Sequence, residues 1–164
     1  MNVVVAPGFE VQVEEDTPNH WVGAWGNLVL VFAFAGSSDD VAHVFTAARI
    51  VEDRARVAGK AKVLFVLPPR HARPPSARVR SAILQVSRRL AKQTARLSVV
   101  VAGEGFGAAV HRGAVTGVFT LFRPDLPIKV ATDFREGLRF LLGDEHVAIE
   151  PLVGLCEQRV ALRA

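Results

Sequence analysis

Apolar and polar positions divide the chain into segments of strand and helix length. Residues 9–16, FEVQVEED, alternate apolar and polar side chains and predict a half-exposed strand. Thr17-Pro18-Asn19 reads as a turn, and residues 20–27 as a short second strand weakened by Gly23 and Gly26. Residues 28–35, LVLVFAFA, form a continuous apolar run of strand length, the pattern of a central strand covered on both faces. Ser37 and Asp40 carry the spacing of a helix N-cap. After them Val41, Val44, Phe45, Ala48, Val51 and Ala55 recur at helical spacing as a buried stripe. Ile50 and Val57 fall on the opposite side of that helix. An apolar pair there predicts a surface for a second copy or another partner.

The same alternation continues to the C-terminus. VLFVL within residues 60–67 and LSVVVA at 97–102 predict two more buried strands. The helix between them, Ala77 to Thr94, has its core stripe at Val79, Ile83, Val86 and Leu90, with Ser76 as its cap. Residues 108–122 predict a helix with Gly113 and Gly117 four apart. Residues 127–132 predict a short strand, and residues 134–142 a helix capped by Asp133. In the tail, 144–164, Leu152, Leu155, Cys156 and Val160 predict a closing amphipathic helix. Strands alternating with helices predict an α/β domain. Its mainly parallel sheet has about five strands after an N-terminal hairpin, with four helices. The chain reads as a single domain over residues 1–164, with its core at about 9–143.

Composition narrows the class. Half of the 164 residues are hydrophobic and 22% are charged, a balance that builds a sizeable core. No apolar run reaches the roughly 18 residues of a membrane span, and no leader is visible at the N-terminus, so a cytoplasmic protein is expected. The one cysteine, Cys156, excludes an internal disulfide. His20, His43, His71, His111 and His146 stand alone, without metal-ligand spacing, so no metal or other cofactor is expected. No G-x-S-x-G elbow or other convergent catalytic set is visible, which points away from an enzyme.

Charge adds one feature. The net charge is +4, and no Asp or Glu lies between Arg54 and Gly103. Arg78, Arg89, Lys92 and Arg96 fall on one helical flank, and with Arg70 and Arg73 of the loop PPRHARPP they predict one basic patch. An acidic protein, an anionic membrane surface or nucleic acid would each fit it. Nucleic acid is disfavoured, because no stacking array accompanies the charge. Gly103, Gly105 and Gly107 form a strand-to-helix loop that invites an anion-binding reading, although Glu104 within it would repel a phosphate.

The order of these elements resembles the STAS domain family, and within it the anti-sigma-factor antagonist-like (SpoIIAA-like) group. The resemblance rests on LVLVFAFA with the helix after it, on KVLFVLP, on LSVVVAG, and on the closing segment AAVHRGAVTGVFTLFRPDLPIKVATDFREGLRFL. It implies a non-catalytic regulatory module that binds another protein. Phosphoregulated members carry Asp-Ser-Ser/Thr-Gly after the strand matching KVLFVLP. Here PPRHARPPSARVR stands there, and Ser76 lacks the flanking Asp and Gly. The resemblance therefore implies at most a weak phosphosite at Ser76 and a module without the usual serine switch. The competing expectation is a binder or enzyme for a small anionic or nucleotide-like ligand, using loops 68–75 and 103–107 at the strand ends.

Overall fold

The computed structural model describes residues 2–6, 9–34, 41–67, 76–103, 105–122, 126–144 and 146–163. Seven strands form one sheet in sequence order: β1 (Asn2–Ala6), β2 (Phe9–Asp16), β3 (His20–Trp25), β4 (Leu28–Ala33), β5 (Ala61–Leu67), β6 (Thr94–Val101) and β7 (Ile128–Ala131). β1 to β4 make an antiparallel meander, and β4 to β7 run parallel. The helices are α1 (Ala42–Ala58), α2 (Ala77–Leu90), α3 (Phe106–Phe122), α4 (Phe134–Leu142) and α5 (Ile149–Ala161).

The α/β class is as expected, but the counts differ. β1 is an additional strand: Asn2–Ala6 carries three consecutive valines and pairs with β2 in register Asn2↔Val13 to Ala6↔Phe9. The tail supplies a fifth helix, α5, whose Leu152, Leu155 and Cys156 are buried. The parallel part is confined to β4–β7, because the first four strands are linked by short reversals rather than by crossover helices.

Two cores flank the sheet, and the period of two in the strands decides which side chain enters which. Leu28, Leu30 and Phe32 of β4 join Leu64 and Val66 of β5 beneath α4 and α5. Val29, Val31 and Val63 face the other way, towards α1 and α2. This double burial explains why β4 reads as an unbroken apolar run. Right-handed crossovers place α3 on the α1–α2 side.

Two glycines let layers approach. A Cβ on Gly23 would lie 2.8 Å from Trp21 Cζ2 and 2.8 Å from Val11 Cγ1, since the Trp21 ring lies across it. A Cβ on Gly137 in α4 would lie 2.9 Å from Ser98 Oγ and Val100 Cγ2, so α4 rests directly on β6.

The cap of α1 differs from expectation. Ser37 and Asp40 lie outside the described residues, and the N-cap position is Val41, with no side-chain hydrogen bond. α2 and α4 start as expected. Ser76 Oγ accepts from Val79 N at 3.3 Å, and Asp133 Oδ1 accepts from Glu136 N at 2.8 Å.

Candidate functional site

Arg96 does not join Arg89 on one flank as the helical spacing predicts. Arg70 and Arg73 lie outside the described residues. Arg89 donates to Glu52 of α1 at 2.8 Å. Arg96 sits on β6 with the parity of Ser98, which faces α4, and it donates to the Phe140 carbonyl at 2.6 Å with its guanidinium over the Phe140 ring. α1 and α4 cover opposite faces of the sheet, so Arg89 and Arg96 lie on opposite sides of it. The reason is that α2 ends at Leu90: Arg96 is a strand residue, and the helical spacing that aligned it with Arg89 does not apply. Arg78 and Lys92 are exposed.

The apolar pair also divides. Ile50 is only 3% exposed and belongs to the α1–α2 core, whereas Val57 is 85% exposed. Ile50 is buried because its flank of α1 faces β2. Arg54, one turn on along the same flank, reaches Gln12 at 2.6 Å and ion-pairs with Glu14. Gln12 and Glu14, two apart in β2, share the face opposite Val11 and Val13. Ile50 is therefore core, and Val57 lies beyond the strand that would cover it.

At the ends of the parallel strands, Gly103 and Gly105 adopt φ of 111° and 87°, a conformation that glycine alone adopts freely. Arg112 of α3 donates to the carbonyls of Val101 (3.3 Å) and Gly103 (3.1 Å) and so fastens this turn to its own helix. Gly107 lies in the first turn of α3, and Glu104 lies outside the described residues. Loop 68–75 lies outside them too.

A hydroxyl–imidazole–carboxylate chain, which sequence spacing did not single out, runs across the β2–β3 turn. Thr17 Oγ1 is 3.0 Å from His20 Nδ1, and His20 Nε2 is 3.0 Å from Glu15 Oε1. The Thr17 hydroxyl also accepts from the amides of Asn19 and His20 and contacts the His20 carbonyl. A hydroxyl held four ways inside its own turn stabilises that turn and lacks the freedom of a nucleophile. Among the described residues no group of three or more His, Cys, Asp and Glu could hold a metal ion, and no helix is long and apolar enough to cross a membrane. Burial pushes the Cys156 thiol far above its ordinary pKa, with Glu157 adding to the effect, so it is unreactive in the folded chain.

α5 and the turn after it close the other core through two cations. Arg159 lies over the Trp21 ring at 4.9 Å and Arg163 over Phe34 at 5.5 Å, and both approach Asp16. Arg135 and Glu150 form a two-pronged pair, 2.8 and 2.6 Å, that joins α4 to α5. These contacts are structural.

The feature left over is α3. Its 17 residues contain one formal charge, Arg112, and none of its described side chains is buried. Val110 is 55% exposed. Val110, Gly113, Ala114 and Gly117 share one outward stripe without a polar side chain. The sequence shows this helix as apolar, and such a helix ordinarily reads as covered on all sides. No family model matches the chain, and no curated protein or solved structure matches it.

Proposed function

We propose that this chain is a non-catalytic, regulatory protein–protein interaction module of the STAS, anti-sigma-factor antagonist-like type, which docks through α3. The single observation that carries the reading is the uncovered apolar stripe of that helix, since exposed contiguous apolar surface marks sites of association. The order of hairpin, alternating strands and helices, and closing α4 supports the family part of the reading. Ser76 serves as the cap of α2, and the Asp-Ser-Ser/Thr-Gly motif is missing, so regulation here proceeds without the usual serine switch. The docking surface is apolar rather than ionic: Arg89 and Arg96 lie on opposite sides of the sheet, and each is held by a partner within the chain. Association is accordingly expected to persist as salt is raised.

The test is a photo-crosslinking side chain placed at Ala114 in native cells, with exposed Val57 of α1 as the control position. An adduct formed at 114, absent at 57 and retained at moderate salt, supports docking through α3. Absence of any adduct at 114, or equal labelling at both positions, overturns it.

A further inference from the structure

The side of the molecule formed by α3 and β7 is open in two ways at once. β7 is the last strand of the sheet: β6 pairs with one of its edges, and no described strand pairs with the other. Beside it, a groove of about 460 Å³ runs between β7 and α3, lined by Thr116, Phe119 and Thr120 of the helix, by Leu126, and by Ile128, Lys129 and Val130 of the strand. Thr116 and Thr120 identify the flank of α3 that faces this edge. At three- and four-residue spacing the same flank carries Ala109, Gly113 and Gly117. All five side chains are small, uncharged and exposed. Apart from the helix's own neighbouring residues, no described atom lies within 4 Å of a Cβ built on Gly113 or Gly117, so another helix has room to approach the backbone closely.

We infer that this side pairs with a second copy of the same chain, β7 against β7 antiparallel and α3 beside α3, in a two-fold dimer with one continuous sheet. The inference rests on the reading of α3 as the docking element and names its occupant. Three features favour a second copy over another partner. A two-fold axis perpendicular to the sheet keeps both helices on the same face, so one operation supplies an edge strand and an apolar helix together. A strand-like peptide would satisfy the β7 edge and leave the helix bare. An isologous contact also lays each residue near its own copy, where like charges repel, and this flank has none. Arg112 is turned to the Val101 and Gly103 carbonyls, and Lys129 is held by Glu136 of α4 at 3.0 Å. α3 is about 25 Å long, and four residues of β7 give few ladder bonds, so most of the contact comes from the helices and the groove.

The experiment is sedimentation velocity of the purified full chain across a hundredfold concentration range, for wild type and Gly117→Arg, with circular dichroism to confirm folding. The expected result is a wild-type dimer and at least a tenfold loss of dimer affinity in the variant. If Gly117→Arg does not fold, Ala109→Arg and Thr120→Arg, at exposed positions on the same flank, give the same reading. A wild-type monomer at every concentration, or a dimer unaffected by these changes, overturns the inference. The crosslink at Ala114 separates the two claims: an adduct with the mass of two chains agrees with the dimer. An adduct of another mass with a monomeric wild type overturns the dimer and keeps the docking reading, and no adduct overturns both.

Discussion

Replacing Gly23 with Ala tests the packing of the antiparallel half of the sheet. The new methyl would lie 2.8 Å from Trp21 Cζ2 and from Val11 Cγ1, and closer still to Trp21 Cη2, distances that real Cβ atoms essentially never show. One neighbour has to move, and Trp21 is held on several sides. It meets Phe32 edge-on at 5.5 Å, carries the Arg159 guanidinium on its ring, and is fully buried. Forcing a methyl into such a site costs about 1–3 kcal/mol, and lower unfolded-state entropy of Ala returns about 0.4–1 kcal/mol. The net expectation is a loss of about 1–1.5 kcal/mol, or roughly 2–6 °C in Tm for a chain of this size. Urea unfolding followed by tryptophan fluorescence and by far-UV circular dichroism measures it. In a Trp21→Phe background the six-membered ring over Gly23 is gone, so the same substitution should cost less, with a coupling of about 1–2 kcal/mol. A Gly23→Ala protein within about 0.5 kcal/mol of wild type, or an equal cost in both backgrounds, would refute the reasoning.

Three further outcomes follow from the same geometry. Ile50→Ala should cost about 2–5 kcal/mol and Val57→Ala about 0.5 kcal/mol or less in denaturant unfolding; equal costs would mean that β2 does not cover that flank of α1. Ser98 is fully buried, with no hydrogen-bond partner for its hydroxyl. Ser98→Ala should therefore be neutral or stabilising by up to about 1 kcal/mol, and a clear loss in thermal unfolding would contradict this. The Thr132 amide, and then Lys129, hold the Glu136 carboxyl below its usual value of 4.5. A depressed folded pKa gives stability that is present above 4.5 and is lost as the pH falls through the lower folded value. Thermal unfolding between pH 6 and pH 3 should therefore show a shallower acid loss for Glu136→Gln than for wild type, and parallel curves would refute it.

Much of the fold is legible in the residues. The unbroken run in β4 announces a strand covered on both faces, and the two cores supply those covers. Val44, Ala48 and Val51 mark the inner face of α1, and Asp133 marks the start of α4, because both signals are local. Contacts between distant segments are less legible. Nothing near Ile50 in sequence says that β2 lies against its flank, since that depends on how the strands before β4 are ordered in the sheet. The run of cations from Arg54 to Lys92 looks like one surface until α2 stops at Leu90. Past that point the period changes from 3.6 to 2, and Arg96 is carried to the other face.

α3 shows why an apolar pattern does not by itself distinguish a core from an interface. Both need side chains that gain by leaving water, so both select the same residues. What separates them here is position in the sheet. α1 lies above interior strands of the sheet and α2 lies beside it, so both share a filled core. α3 follows β6 and precedes β7, so its outer flank extends past the sheet edge, where no described element covers it. A helix required only to cover β6 and β7 would gain solubility from Lys or Glu on that flank. Ala109, Gly113, Thr116, Gly117 and Thr120 stand there instead, beside a strand whose outer edge has no described partner. An uncharged flank of small residues on the helix and an outer strand edge without a described partner lie side by side, and the proposed two-fold contact would cover both.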